Sequence, residues 1–126
     1  MSDLAVEITG FVEGDDLEIR RTITELPAAI AVAWLTVKRH HNQPDEEAKL
    51  QKRITSMDVA GTGQIVEPGG PETDGDLRFD LTQAETESLG TKRHVHDIQI
   101  KLVTGKVYTI EKGTIQLTVD VTETTA

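Results

Sequence analysis

His94 and His96 stand one residue apart in a run of alternating apolar and polar residues. Alternate side chains of a strand share a face about 7 Å apart, so two imidazoles placed this way are within reach of one metal ion. A zinc-type site needs three or four ligands. The local sequence fixes neither a third histidine nor an acidic residue on that face: Asp97 points the other way, and His40 and His41 would have to arrive by tertiary folding. His96 also keeps register with Ile98, Ile100 and Leu102, the alternation of a strand lying on a core. The expectation is a packed, hydrogen-bonded histidine near a sheet end, with no metal and no cofactor.

The carboxylate clusters Asp15-Asp16, Asp45-Glu46-Glu47 and Glu85/Glu87 offer general acid and base pairs or calcium ligands in principle. The first lacks the spacing of a calcium loop. The second has the look of helix N-terminal charge, and the third sits on a capped connector, so solvated surface is expected for all three. No GxSxG, HExxH or phosphate-cradling glycine motif occurs, and the glycine-rich stretch Gly61 to Gly75 lacks the lysine and following helix that a phosphate loop requires. Trp34 is either an interface anchor or a core tryptophan; it lies in the segment poorest in charge, which favours the core. No catalytic, cofactor-binding or metal-ligating residue is assigned, and the chain is not expected to be an enzyme.

These residues must be held by elements that composition already restricts. A chain of 126 residues is large enough to bury one core and too short for two. Zero cysteines exclude a disulfide and a thiolate metal site. The net charge of −9 opposes binding to a phosphate backbone, and Lys38-Arg39 and Lys92-Arg93 are too short to reverse it, so nucleic acid is not an expected partner. No apolar run reaches the roughly 18 residues of a membrane span, and MSDLAVEITG lacks a basic leader and an apolar signal core; a soluble chain without membrane attachment is expected. Seventeen threonines against four aromatics suit a β-protein and argue against an aromatic-lined pocket.

Leu4 to Phe11 alternates as a strand or an arm, and Leu17, Ile19 and Ile23 mark one face of a half-buried strand after the Gly14-Asp15-Asp16 turn. Ala28 to Arg39 is nearly uncharged and β-branched, which predicts a central strand covered on both faces. From Asp45 onward the choice lies between a short capped helix and an excursion returning as a strand at Leu50 to Thr55. Gly61 to Gly75 holds five glycines and two prolines, so a turn-rich hairpin or mobile loop is expected, with Gln64 to Val66 its strand candidate and Pro68 to Asp74 its least ordered part. Leu77, Phe79 and Leu81 alternate again, and Thr82 with Glu85 forms a capping box for a two-turn helix that Gly90 closes and that bridges the two sheets. Val95 to Val103, Lys106 to Glu111 and Thr114 to Val121 then form a β-meander with turns at Thr104-Gly105 and Lys112-Gly113. The expected fold is all-β: an immunoglobulin-like two-sheet antiparallel β-sandwich with one or two short helical connectors. It comprises an N-terminal strand or arm over 1–10, the sandwich over 11–122 and a frayed tail over 123–126.

The order of FVEGDD, LPAAIAVAWLTVKR, DLRFDLTQAETESLG and HDIQIKLVTGKVYTIEKGTIQLTVDVT resembles small phage and prophage tail- or baseplate-associated structural proteins. It is similar to the immunoglobulin-like N-terminal domain of phage baseplate upper proteins. The matching positions are Gly14-Asp15, Ala33 to Lys38, Phe79 to Leu89, His96 to Ile100 and Gly105 to Gly113. His96 stands where that group usually has tyrosine, which removes any inference about a buried hydroxyl there. The resemblance implies a bacteriophage virion structural protein, located in the virion after assembly in the bacterial host cytoplasm. Its expected partners are other virion structural proteins and further copies of itself, as a homo-oligomer docked on the tail, baseplate or fibre apparatus. A capsid decoration (cement) protein of the phage head is the alternative, and a receptor- or glycan-binding module ranks below both because one Trp and one Tyr make no sugar-stacking platform.

Overall fold

The computed structural model describes residues 5–9, 11–39 and 48–118. Among them the chain forms β1 (Ala5–Ile8), β2 (Leu17–Ile23), β3 (Ile30–Lys38), β4 (Leu50–Ile54), β5 (Gly63–Glu67), β6 (Gly75–Leu81), α1 (Gln83–Leu89), β7 (His94–Leu102) and β8 (Val107–Ile115). Two sheets result, one of five strands in the order β1-β8-β7-β3-β4 and one of three in the order β2-β6-β5. Neighbours run antiparallel except β1, which pairs in parallel with β8 from Ala5↔Lys112 to Ile8↔Ile115. This is the all-β sandwich expected, with the second, fifth and sixth strands on one sheet and the third, seventh and eighth on the other, as in immunoglobulin domains.

Period-two alternation decides which side chains are enclosed. Leu17 and Ile19 from β2, Leu77, Phe79 and Leu81 from β6, and Ile65 from β5 face Ala33, Leu35 and Val37 of β3, Ile98, Ile100 and Leu102 of β7, and Ile115 of β8. Aliphatic side chains supply almost all of this core; Phe79 is its single aromatic member. Gly63 is obligatory where β5 begins. Its φ of 130° suits glycine alone, and a Cβ there would run into the backbone carbonyl of Arg78 on the paired strand.

Several expectations change. The meander is a two-strand hairpin, because Lys112-Gly113 lies inside β8 and not at a turn. Gly113 pairs with His96 across the ladder, and the irregularity of β8 is a bulge at Ile110, where the partner of Ile98 is Glu111 and that of Gln99 is Thr109. β3 meets the opposing sheet with one face only, although on its outer face Thr36 is buried beside Gln51. Ala33, Leu35 and Val37 are fully buried while Trp34 is half-buried on the opposite face, so the tryptophan is not a core residue. Leu50–Ile54 is a strand, as one of the two readings had it; the helix start at Asp45, the tail, and Met1 to Leu4 lie outside the described residues. Pro68 to Asp74 is a closed turn: Gly70 and Thr73 exchange backbone hydrogen bonds of 3.0 and 3.4 Å, and Pro68 O accepts from Ile30 N at 2.9 Å.

Candidate functional site

Three polar arrangements interrupt the aliphatic interior. The first is the corner where α1 meets the loop before β2. Thr82 takes an extended conformation, accepts from Glu85 N through its hydroxyl at 3.3 Å, and donates its own N–H to Glu85 Oε1 at 2.9 Å, the capping box expected. One turn on, Thr86 is fully buried. Its hydroxyl donates to Asp15 O at 2.7 Å and accepts from Gly14 N at 3.0 Å, while Asp16 Oδ1 accepts from Gln83 N at 3.1 Å. Asp15-Asp16 thus serves a loop-to-helix junction and Glu87 stays on the surface. Glu85 does not: Lys52, itself buried, reaches Glu85 Oε2 at 2.6 Å and Gly61 O at 2.7 Å. Burial pushes the Glu85 carboxyl up, but the hydrogen bonds and charge from Lys52 and Thr82 outweigh it, leaving the group below its ordinary value.

The second arrangement crosses the sandwich. Glu111 of β8 faces inward at 5% exposure and accepts from His96 Nε2 at 2.8 Å on one side. On the other side Arg21 of β2 forks onto it, Nε to Oε1 at 2.6 Å and Nη2 to Oε2 at 3.2 Å. Burial raises the Glu111 carboxyl, and the donors His96 and Arg21 with their charge lower it further than burial raises it. This carboxylate is the acidic partner that local sequence did not place on the histidine face. Its two donors lie 15 and 90 residues away in the chain, so no window of sequence contains the group. Chemically, the triad ties one sheet to the other, with three donors shared between the two oxygens of Glu111.

His94 forms the third. It is buried, with Nδ1 at 2.9 Å from Lys92 O, while neither its Nε2 nor the Nδ1 of His96 has a hydrogen-bond partner among the described residues. Burial, together with the positive charges of Arg39, Lys49 and Lys92, holds the His94 imidazole below its ordinary value, against the hydrogen bond to Lys92 O. It lines an open cavity of about 310 Å³ with Glu13, Arg39, Lys49 and Lys92. His40, His41, Asp45, Glu46 and Glu47 lie outside the described residues, so the tertiary arrival of further ligands falls there too; among the described residues no three His, Asp or Glu side chains converge in ligand geometry.

No family model matches the chain. No curated protein matches it either. What remains is its own surface. An apolar cleft of about 360 Å³ opens beside the β8 bulge, between Ile23, Leu26 and Pro27 on one side and Ile100, Tyr108 and Ile110 on the other. Glu25 at its rim is the sole non-glycine among the described residues at positive φ, 59°. Sequence reasoning singled out neither, nor Arg21, Lys52 or Glu111. A charged residue at an inward strand position is the one signal that could have found the last three.

Proposed function

We propose that this chain is a structural protein of a phage virion, a non-catalytic sandwich that docks on the tail, baseplate or fibre apparatus. The observation that carries the reading is the Thr86 corner. Gly14-Asp15 and the Thr-x-x-x-Thr-x-x-Leu connector are two of the segments through which the chain resembles phage tail and baseplate proteins. They lie more than 70 residues apart in the chain and meet through one enclosed hydroxyl. A threonine used in chemistry would present its hydroxyl to a substrate; Thr86, with no exposed surface, turns it to the backbone of Gly14, Asp15 and Gln83. Leu89, the last residue of the motif, is also in the core. The recurring residues therefore support an architectural role, and with it an assembly module.

Mass spectrometry of purified particles from the encoding phage or induced prophage tests this. The chain should be present at a few to a few tens of copies. Hundreds of copies would move it to the capsid surface as a decoration protein, and absence from complete particles would sink the reading.

A further inference from the structure

We infer that copies of this chain stack face to back, the outer face of the five-stranded sheet of one copy seating on the outer face of the three-stranded sheet of the next. The inference rests on the assembly reading above and adds the partner and the surfaces.

The two outer faces carry opposite charge. Among the described residues, the outward positions of β3, β4, β7 and β8 bear Lys38, Arg53, Lys101 and Lys112 against a single carboxylate, Asp97. The outward positions of β2, β5 and β6 bear Glu18, Glu67, Asp76 and Asp80 against Arg20 and Arg78. A chain of net charge −9 would be expected to show acid on every side, so a cationic sheet face runs against its composition.

Arg20 pairs with Glu18 and Arg78 with Asp58 and Asp80 within the chain, but each face also holds a ladder position with no opposite charge across from it. Glu67 stands opposite Asp76 across the β5–β6 ladder, a like-charge pair that destabilises the isolated sheet. Lys101 lies in register between Val32 and Val107, with no carboxylate opposite it on either strand. Beside it Trp34 is half-buried between Arg53 and Gln99, and tryptophan and arginine are both enriched among the residues that dominate interface energetics.

Symmetry follows from the charges. A two-fold dimer would bring cationic face to cationic face or acidic to acidic, which is repulsive in both cases. Front to back satisfies both faces, and such a heterologous contact repeats until it closes as a ring or continues as a stack. The three-stranded face limits the area. Two strands of seven residues and one of five, about 4.8 Å apart and about 3.3 Å per residue, cover roughly 300 Å² in projection, a small footprint for an interface whose standard stable form buries roughly 800 Å² of accessible surface per partner. Each contact is consequently weak and sensitive to salt, and strength comes from repetition.

Sedimentation velocity on the full chain, from micromolar to millimolar concentration, reads the stack directly. Association should grow with concentration without stopping at a dimer and weaken at least about tenfold between about 0.02 M and about 0.5 M salt. The double variant Arg53→Glu/Lys101→Glu should be monomeric where the wild type associates, and so should Glu67→Lys/Asp76→Lys, while an equimolar mixture of the two should associate again. Circular dichroism checks that both fold; if either does not, the neutral pair Arg53→Gln/Lys101→Gln and Glu67→Gln/Asp76→Asn should each lower association. A wild type that stays monomeric to millimolar at low salt, a salt-resistant dimer, or a mixture that stays monomeric would overturn the stack. Presence in particles together with a monomer in solution would reject the stack alone, and stacking by a chain absent from particles would reject the virion role alone.

Discussion

Replacing Glu111 by glutamine keeps the shape of the side chain and removes what makes the buried triad cohere. Its Oε2 accepts from both His96 Nε2 and Arg21 Nη2, and its Oε1 from Arg21 Nε alone. An amide must put its NH2 at one of these places, facing a donor with a donor. The cheaper choice abandons Oε1, losing the 2.6 Å bond and the charge that strengthens the other two. Hydrogen bonds to charged groups contribute about 1.5–3 kcal/mol each, and removing one partner of a buried pair costs about 3–5 kcal/mol. Arg21 keeps 31% of its side chain exposed and recovers water, which places Glu111→Gln near the lower end, about 3 kcal/mol. With an unfolding entropy of about 2.1 cal/mol/K per residue over 126 residues, that is a fall in Tm of roughly 11 °C. The pH dependence gives a second readout. Because the Glu111 carboxyl is held below its ordinary 4.5 in the fold, its stabilisation is complete above 4.5 and is lost as pH falls through the lowered value. The gap between wild type and variant, followed by circular dichroism in urea, should be widest at neutral pH and narrow on acidification. A loss under about 1 kcal/mol, the size of an exposed pair, or a gap unchanged with pH, would refute the reasoning.

Three further perturbations test other parts of the fold. His94→Asn should lessen the loss of stability on acidification below about pH 6.5: the unfolded imidazole takes up its proton near 6.5 and the folded one only at lower pH, so this part of wild-type stability is lost as pH falls through 6.5 and the urea midpoint of the variant should fall less. Thr86→Val keeps the volume but leaves Gly14 N and Asp15 O without their buried partner, at a cost of about 2 kcal/mol in chemical denaturation, whereas the exposed Ser88→Ala should stay within about 0.5 kcal/mol. Gly63→Ala combines a left-handed backbone with a collision against the Arg78 carbonyl; a loss of about 3 kcal/mol or more, or failure to accumulate as folded protein, is expected, and a near-neutral result would show that β5 can be re-laid.

Legibility of the sequence followed the range of the interactions involved. β2, β6 and β7 were readable because each alternates without interruption, and the Thr82–Glu85 capping box because its two bonds join residues three apart. β8 was misread at Lys112-Gly113, a dipeptide with turn chemistry that the ladder to His96 holds extended. Trp34 was misplaced because an apolar run does not say how many of its faces are covered; β3 has the large sheet's neighbours on both edges but a core on only one side. Glu111 was not legible as a buried group, since its environment is made by Arg21 and His96 from other strands. Lys52 was hidden the same way, with Glu85 brought to it by α1 and Gly61 by the turn before β5.

β1 gives the large sheet a property of a different kind. It is four residues long, pairs with β8 alone, and is the parallel member of an otherwise antiparallel sandwich. Opening of a structure proceeds first where few pairs hold a segment, so the amides of β1 should exchange with solvent long before those of β7 and β3, each paired on two sides. While β1 is away, β8 shows an unpaired rim. On this expectation the large sheet alternates between five strands and four, and β8 keeps β7 on one flank while the other opens and closes.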